Sequence, residues 1–320
     1  MISAMKFATL GVSDMDYSLR LYRDVIGLKQ ERAYTLDRSL LDAWRLPATT
    51  TAQAVELSCK GYPMGQLRLV QFSPAAAQRV RQDSGPGATD SGVDIGPKAI
   101  DFYVRAPISD AMAKLEAFGL ARRSNPVLHH VDDVISEELL FSGPDGVPLL
   151  LMVGHVHPPS ALRPGSPDGD FSEIATISIV AGEPAQSRRF YGDALGMTLL
   201  QESQTRPEHQ DRVNELTGTP PGTRIHWLIY TSADEPSGKI LLVHFFERTG
   251  KRLSGRMRPG NLGFSLLTHR CADVDAAVAR VAQRGFEVVS PAMEVLVAGV
   301  TCRIALVRGP NEELLELSSH

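Results

Sequence analysis

An internal repeat constrains the fold of this chain more than any other feature. Residues 7–28 (FATLGVSDMDYSLRLYRDVIGL) align without a gap to residues 176–197 (TISIVAGEPAQSRRFYGDALGM). The match continues downstream, where residues 65–72 (GQLRLVQF) align to residues 238–245 (GKILLVHF). A repeated sequence predicts a repeated structural unit, so the fold must accommodate two copies of the same chain segment.

The duplication divides the chain into two halves joined by a linker. We expect the halves at residues 1–155 and 171–320, which suits a chain of 320 residues because domains usually contain about 100–200 residues. Residues 156–170 lie between the halves. They are rich in Pro, Gly and Ser, which is typical of a linker.

Each half divides again into two modules. Residues 99–120 and 261–286 both read as an alternating strand, a short polar turn and an amphipathic helix. In the second of these segments, Val274 and Val281 recur at helical spacing, and Gly285 is placed to end the helix. Short strands follow each helix, so the sequence predicts four modules of the form β-α-β-β-β.

Composition excludes several classes of function. The net charge is -4 and no basic stripe is present, so we expect no nucleic-acid partner. No window reaches about 18 apolar residues, so we expect no membrane span. The three cysteines, Cys59, Cys271 and Cys302, are widely spaced and odd in number, which favours reduced thiols and a cytoplasmic location.

Four degenerate motifs occur in a fixed order along the chain. They are VSDMDYSLRLYRDVIGL (12–28), SGPDGVPLLL (142–151), ADVDAAVARVAQRGFEVVSP (272–291) and RGPNEELLEL (308–317). Together with the four modules they resemble the vicinal oxygen chelate superfamily, which includes glyoxalase I, bleomycin-resistance proteins and type I extradiol dioxygenases. The resemblance implies an α+β fold in which four tandem βαβββ modules pair into two glyoxalase-like domains. Their concave sheets would each curl around a cleft, with one cleft in each half.

The metal ligands of that superfamily are largely missing. In its metal enzymes, His begins the first strand of a module and Glu lies in the last strand. The resemblance places the first-strand positions at Phe7, Ala99, Thr176 and Asn261. It places the last-strand positions at Leu150 and Glu316, with approximate matches near Arg68 and Leu241. A divalent ion needs about three protein ligands, so we expect no cofactor. A divalent Fe or Mn ion bound by Glu316 is the alternative.

Two residues of the second half are candidates for acid–base catalysis. His226 lies in the alternating strand TRIHWLIY (223–230), where the related extradiol dioxygenases carry a proton-transferring His. Glu316 lies between two leucines and matches a family ligand position. We expect both in the C-terminal cleft, where Asn261 and Ser265 project to the side of Glu316 and would bind a substrate oxygen.

Other polar side chains are candidate substrate-binding residues. Tyr230 shares the strand face of His226, whereas Trp227 is on the opposite face and is expected in the core. Thr176 stands at a first-strand position. For His244, alternation leaves open which face of its strand lines the cleft.

The first half offers a second polar set. Asp101 and Tyr103 share one face of their strand, and we expect Arg68 nearby. A hydrogen-bonded structural cluster of these three residues is the alternative to a functional cleft. The run HHVDD at residues 129–133 has the composition of a metal site, but its position favours a solvated loop.

Three functions remain for the chain. The first is a metal-independent enzyme of lyase, isomerase or hydrolase type, in which His226 and Glu316 transfer protons on a small aromatic or apolar molecule. The second is a binding protein that sequesters a drug or antibiotic, as bleomycin-resistance proteins do. The third is an extradiol dioxygenase or glyoxalase-like enzyme with atypical ligands. Each is compatible with a monomer or a homodimer.

Overall fold

The computed structural model describes residues 2–59, 62–75, 78–85, 87–131, 134–156 and 169–320. Most of the expected linker, residues 156–170, therefore lies outside the described residues. None of the helices in the described part of the chain has the length and apolar character needed to cross a bilayer. Cys59, Cys271 and Cys302 are all free thiols.

The four expected modules are present. The first contains β1 (Ile2–Gly11), α1 (Met15–Leu19), β2 (Lys29–Thr35), α2 (Arg38–Ala43), β3 (Thr51–Ser58) and β4 (Gln66–Ser73). The second contains β5 (Gly96–Val104), α3 (Ile108–Phe118), β6 (Ala121–Arg122), β7 (Val127–Val131), β8 (Val134–Ser142) and β9 (Leu149–Val156). The third contains β10 (Phe171–Val180), α4 (Pro184–Ser187), β11 (Thr198–Gln204), α5 (Gln210–Thr217), β12 (Ile225–Thr231) and β13 (Lys239–Phe245). The fourth contains β14 (Gly263–Cys271), α6 (Val274–Gln283), β15 (Glu287–Val297), β16 (Val300–Arg308) and β17 (Leu314–Ser318).

The sequence repeat reappears as a repeated helix geometry. α1 continues as a π-helix over Arg20–Val25, and α4 continues in the same way over Arg188–Ala194. The wider turn closes with a hydrogen bond from Ile26 N to Leu21 O (2.9 Å), matched in the third module by Leu195 N to Phe190 O (3.0 Å). The gapless alignment therefore extends to the details of the backbone.

The modules form two curled sheets, which confirms the predicted α+β fold of paired modules. The first sheet, from modules one and four, has the strand order β15-β16-β17-β14-β1-β4-β3-β2. The second sheet, from modules two and three, has the order β11-β12-β13-β10-β5-β9-β8-β6, and β7 pairs with β8. One hydrophobic core contains residues of both sheets and of the helices.

The expectation of one cleft within each half is wrong. Each sheet takes one module from each half, because the first strands pair across the halves. β1 is antiparallel to β14, with Phe7 opposite Thr268, and β5 is antiparallel to β10, with Asp101 opposite Thr176. Each cleft is therefore built by one module of the N-terminal half and one of the C-terminal half.

Candidate active site

The concave side of the second sheet encloses a cavity of about 340 Å³. Its apolar lining includes Ala99, Leu140, Leu150, Met152, Leu216, Trp227, Ile229, Leu241 and Val243. Its polar lining includes Lys98, Tyr103, His129, Ser136, Glu138, Thr176, Ser178 and Lys239. This size, and a mostly apolar wall with a few polar groups, are typical of a site for a small organic molecule.

Asp101 on β5 is a fully buried acid next to this cavity. It lies between Ala99 and Tyr103, which line the cavity. Its Oδ2 accepts hydrogen bonds from the hydroxyl groups of Thr176 and of Ser178 (2.7 Å for Ser178) on the neighbouring strand β10. Its Oδ1 has no hydrogen-bond partner among the described residues. Burial raises the pKa of Asp101 to about 7, against the opposing effect of the two hydroxyl donors.

Two lysines contribute the positive charge of the cavity. Lys239 donates from Nζ to Pro236 O (2.6 Å), and this nitrogen lies 5.9 Å from the centre of the Tyr103 ring. Lys98 donates from Nζ to Gly92 O (2.9 Å). Burial lowers the pKa of Lys98 to about 7 and that of Lys239 to about 8. Near neutral pH both amines can therefore exist with or without a proton.

His129 and Glu138 form an ion pair at the wall of the cavity. His129 Nε2 lies 3.2 Å from Glu138 Oε1, and His129 is buried, with 3% of its surface exposed. Burial opposes protonation of the imidazole, but the Glu138 carboxylate outweighs it and raises the pKa of His129. The expectation of a solvated loop at residues 129–133 is therefore wrong for His129, which lies in β7. Residues 132–133 lie outside the described residues.

An internal ion pair fills the centre of the first sheet. Arg68 Nη2 lies 3.0 Å from Glu316 Oε1, and each residue is 2% exposed. Glu316 Oε1 also accepts from Thr268 Oγ1 (2.9 Å), and Oε2 accepts from Trp44 Nε1 (2.6 Å). Arg68 Nε donates to Thr9 Oγ1 (2.9 Å). Both carboxylate oxygens of Glu316 are therefore already hydrogen-bonded within the protein.

The residues present do not fit the divalent metal that the family resemblance implies. In the first sheet, the Arg68 guanidinium already binds Glu316, the one matching ligand, so a second cation there would meet electrostatic repulsion. In the second sheet, Leu150 stands opposite Asp101 and cannot donate. Among the described residues, no three His, Cys, Asp or Glu side chains are grouped so that they could hold a metal ion.

The expectation that His226 and Glu316 share one cleft is wrong. Glu316 belongs to the first sheet and His226 to the second. On β12 it is Trp227 that lines the cavity, so the adjacent His226 points to the other face. There His226 Nε2 lies 2.9 Å from Glu202 Oε1, and its ring stacks on Phe246 with the centroids 5.9 Å apart.

Tyr230 and His244 also point away from the cavity. Tyr230 stacks on Tyr191 of the helical layer, with the ring centroids 5.3 Å apart. His244 Nδ1 lies 3.2 Å from Ala181 O. Because Leu241 lines the cavity, the face of β13 that carries His244 is the outer one. Neither side chain is therefore placed to bind a substrate in this cavity.

Asn261 and Ser265 do not lie beside Glu316 as expected. Asn261 precedes β14, and its Nδ2 donates to Arg256 O (2.8 Å). Ser265 is fully buried within β14. The residue opposite Glu316 in the sheet register is Thr268. The alignment to the family's ligand position was therefore displaced along the strand.

Three of the expected substrate-binding residues do meet at the cavity. Tyr103 and Thr176 line it, and Asp101 lies behind the hydroxyl of Thr176. Arg68, which was expected near Asp101 and Tyr103, lies in the other sheet. Sequence reasoning missed the remaining ionisable groups of the lining, which are Lys98, His129, Glu138 and Lys239.

Comparisons with known proteins agree with this geometry. The solved structure of glyoxalase I from Zea mays superposes with a TM-score of 0.63 at 15% sequence identity, over 99% of this chain and 92% of that one. A putative dioxygenase from Bacillus subtilis superposes with a TM-score of 0.59 at 13% identity, over 99% and 85% of the two chains. No curated protein matches the sequence. The family model of the Glyoxalase/Bleomycin resistance protein/Dioxygenase superfamily matches residues 173–317. Residues 173–317 therefore belong to this superfamily, and its fold extends over the whole chain.

Proposed function

We propose that this chain is a metal-independent enzyme that acts on a small, largely apolar organic molecule by proton transfer in the cavity of the second sheet. The observation that carries the proposal is the buried Asp101 carboxyl group, which two hydroxyls orient and whose Oδ1 has no partner among the described residues. A carboxyl group with a pKa near 7 can take a proton at neutral pH and return it. Strongly shifted groups beside a cleft are frequently catalytic.

The surrounding side chains suit the removal of a proton from carbon next to a carbonyl group. The Thr176 hydroxyl, which lines the cavity, would take the substrate proton and pass its own proton to Asp101 Oδ2, so that Asp101 acts as the general base through this hydroxyl. Lys239, in its protonated form, and the Tyr103 hydroxyl would stabilise the negative charge that develops on the substrate oxygen. The apolar wall would bind the body of the molecule and exclude water. This arrangement favours an isomerase or lyase reaction over hydrolysis, in which water must enter.

A binding protein without chemistry is the second candidate. The predominance of apolar side chains in the lining favours it, because such a wall can hold a ligand without any reacting group. A metal enzyme with atypical ligands has less support, since the donor atoms of the described residues do not fit a divalent ion.

The decisive experiment measures binding and proton exchange separately. Binding is followed by displacement of the fluorescent probe anilinonaphthalene sulfonate by a panel of small aromatic and aliphatic carbonyl compounds. Each compound that binds is then incubated with the protein in deuterated water and recovered. Mass spectrometry of the recovered compound detects conversion or uptake of deuterium. The variant is Asp101→Asn. The matched control is Glu313→Gln, because Glu313 is also fully buried with a pKa raised to about 7 by burial, but neither it nor its hydrogen-bond partner Tyr191 lines the cavity.

We expect the wild type to convert or deuterate at least one bound compound. Asp101→Asn should bind that compound with similar affinity but react roughly 100-fold to 10,000-fold more slowly, as is usual when a general base is lost. Glu313→Gln should react at the wild-type rate. A compound that binds tightly and returns unaltered and undeuterated would favour the binding protein. Equal rates in wild type and Asp101→Asn would rule out Asp101 as the base.

The setting of this activity is also a proposal. We infer that the enzyme acts in the cytoplasm, because its three cysteines are free and widely spaced. We infer a small-molecule substrate as its main partner, no association with nucleic acid or membranes, and a monomer or homodimer. With modules from both halves in each sheet, a single chain already completes both clefts.

A further inference from the structure

A basic pocket lies at one end of the cleft of the first sheet, away from the cavity of the second sheet. It has a volume of about 480 Å³, and its positive side chains are Lys6, Arg32 and Arg270. Ser58 and Gln66 add uncharged polar groups to its wall. These residues come from five strands of two modules, so the pocket exists only because modules one and four share a sheet.

The carboxylates of this pocket are already bonded to other groups. Glu56 accepts from Arg32 Nε at one oxygen and from the Tyr34 hydroxyl (2.7 Å) at the other. Glu31 accepts from Lys29 Nζ (3.1 Å) and from Ser58 Oγ (2.7 Å). Hydrogen bonds therefore occupy both acids, and the charge of Glu56 offsets that of Lys6 only in part.

Lys6 is the buried cation of this pocket. It is 8% exposed, and its Nζ lies 5.1 Å from the centre of the Phe7 ring. Within the described part of the chain, no carboxylate lies within ion-pair distance of this nitrogen. Burial first, and then the positive charge of Arg270, lower the pKa of Lys6 to about 8, so it is still mostly protonated at pH 7. A buried charge is costly unless it is paired.

We propose that the basic pocket binds the oxyanion group of a small organic ligand, either a carboxylate or a phosphate. Lys6 Nζ would form the direct ion pair at the buried end, and the Arg270 guanidinium would close on the anion from the exposed end. The amide of Gln66 would supply a hydrogen bond from the wall. Cations gathered in a concave, low-dielectric site attract anions strongly, and the volume leaves room for an organic body beyond the charged group.

Calorimetric titration of the full-length protein at pH 7 tests this proposal. The two probes are inorganic phosphate and succinate, each at constant ionic strength maintained with sodium chloride. The first variant is Lys6→Met, which removes the charge and keeps the length of the aliphatic stem. The second is Arg270→Gln, which changes an exposed side chain and therefore still tests the proposal if Lys6→Met does not fold. Arg224→Gln is the matched control, because it removes one positive charge from the second sheet.

The proposal expects saturable binding of at least one probe to the wild type. Loss of one charge-assisted contact should weaken that binding roughly tenfold to a hundredfold in Lys6→Met and in Arg270→Gln, with no change in Arg224→Gln. Binding of phosphate alone identifies a phosphate ligand, and binding of succinate alone identifies a carboxylate. No saturable binding of either probe, unchanged affinity in the pocket variants, or an equal loss in the control would overturn the proposal. None of these outcomes depends on the chemistry of the other cleft.

Discussion

Removing the carboxylate of Glu316 should lower the free energy of unfolding without slowing the reaction proposed for the second sheet. Glu316→Gln leaves the Arg68 guanidinium buried without the carboxylate that pairs with it at 3.0 Å, and no other carboxylate of the described residues lies within ion-pair distance of it. Breaking one side of a buried ion pair costs about 3–5 kcal/mol. The free energy of unfolding should fall by that amount, whereas turnover in the other sheet should stay close to that of the wild type.

A double variant separates the ion pair from the rest of the cleft. Arg68→Met combined with Glu316→Leu replaces both charges by apolar side chains of similar size, which is often neutral or stabilising in a buried site. The double variant should therefore be more stable than Glu316→Gln, with a coupling of about 3 kcal/mol in the mutant cycle. Such coupling would identify the pair itself as the stabilising element.

Urea-induced unfolding, followed by far-ultraviolet circular dichroism and by tryptophan fluorescence, measures these differences. Trp44 donates to Glu316, so its emission also reports directly on the cleft. Arg303→Gln is the control, because its ion pair with Asp275 is exposed and should leave the unfolding midpoint unchanged. The reasoning is refuted if Glu316→Gln unfolds at the wild-type midpoint and yet loses activity. Glu316 would then be the catalytic group that its family position implies.

Three further predictions follow from the site. Between about pH 4 and 7 the folded protein keeps a proton on Asp101 that the unfolded chain has released. The contribution of Asp101 to the free energy of unfolding therefore falls by about 4 kcal/mol as the pH rises through that range. Urea titrations at a series of pH values should show this fall in the wild type and not in Asp101→Asn. His226→Ala should change turnover less than about threefold, since the side chain faces away from the cavity, and a loss on the order of 100-fold would place His226 in the reaction instead. Elemental mass spectrometry of protein grown with added iron, manganese and zinc and then gel-filtered should find less than about 0.1 equivalent of each metal, and near one equivalent of a single metal would restore a metal enzyme.

The sequence predicted the modules well because their signals are local. Asp273 begins α6 by accepting a hydrogen bond from Ala276 N (2.9 Å), and Gly285, with φ of 81°, follows its end. The pairing of the modules is not local. Each first strand is buried on both faces and can pair with any other first strand, so the order of modules along the chain does not determine which two share a sheet.

The candidate site was harder to predict because alternation identifies two faces of a strand and not which face is inside. On β12 both faces are buried, one against the helical layer and one against the cavity, so His226 and Trp227 are equally compatible with either side. Lys98 and Lys239 stand near the beginnings of strands, where a lysine usually reaches water. The spacing of Lys239 in the repeated segment at residues 238–245 was a signal that could have placed it in the site. It shares one strand face with Leu241 and Val243, so it is expected on the same side of the sheet as these apolar residues.

The two clefts arose from copies of one module, and they differ in how their acidic groups are satisfied. Glu316 has an arginine, a tryptophan and a threonine as donors, so its charge is fully compensated and a ligand would have to displace internal bonds. Asp101 has only hydroxyl donors, and one of its oxygens has no partner among the described residues. A buried polar atom without a partner is costly to maintain, and a ligand group that supplies the missing hydrogen bond recovers that cost. The same physical test therefore favours a stabilising role for Glu316 and supports the proposal that Asp101 takes part in chemistry.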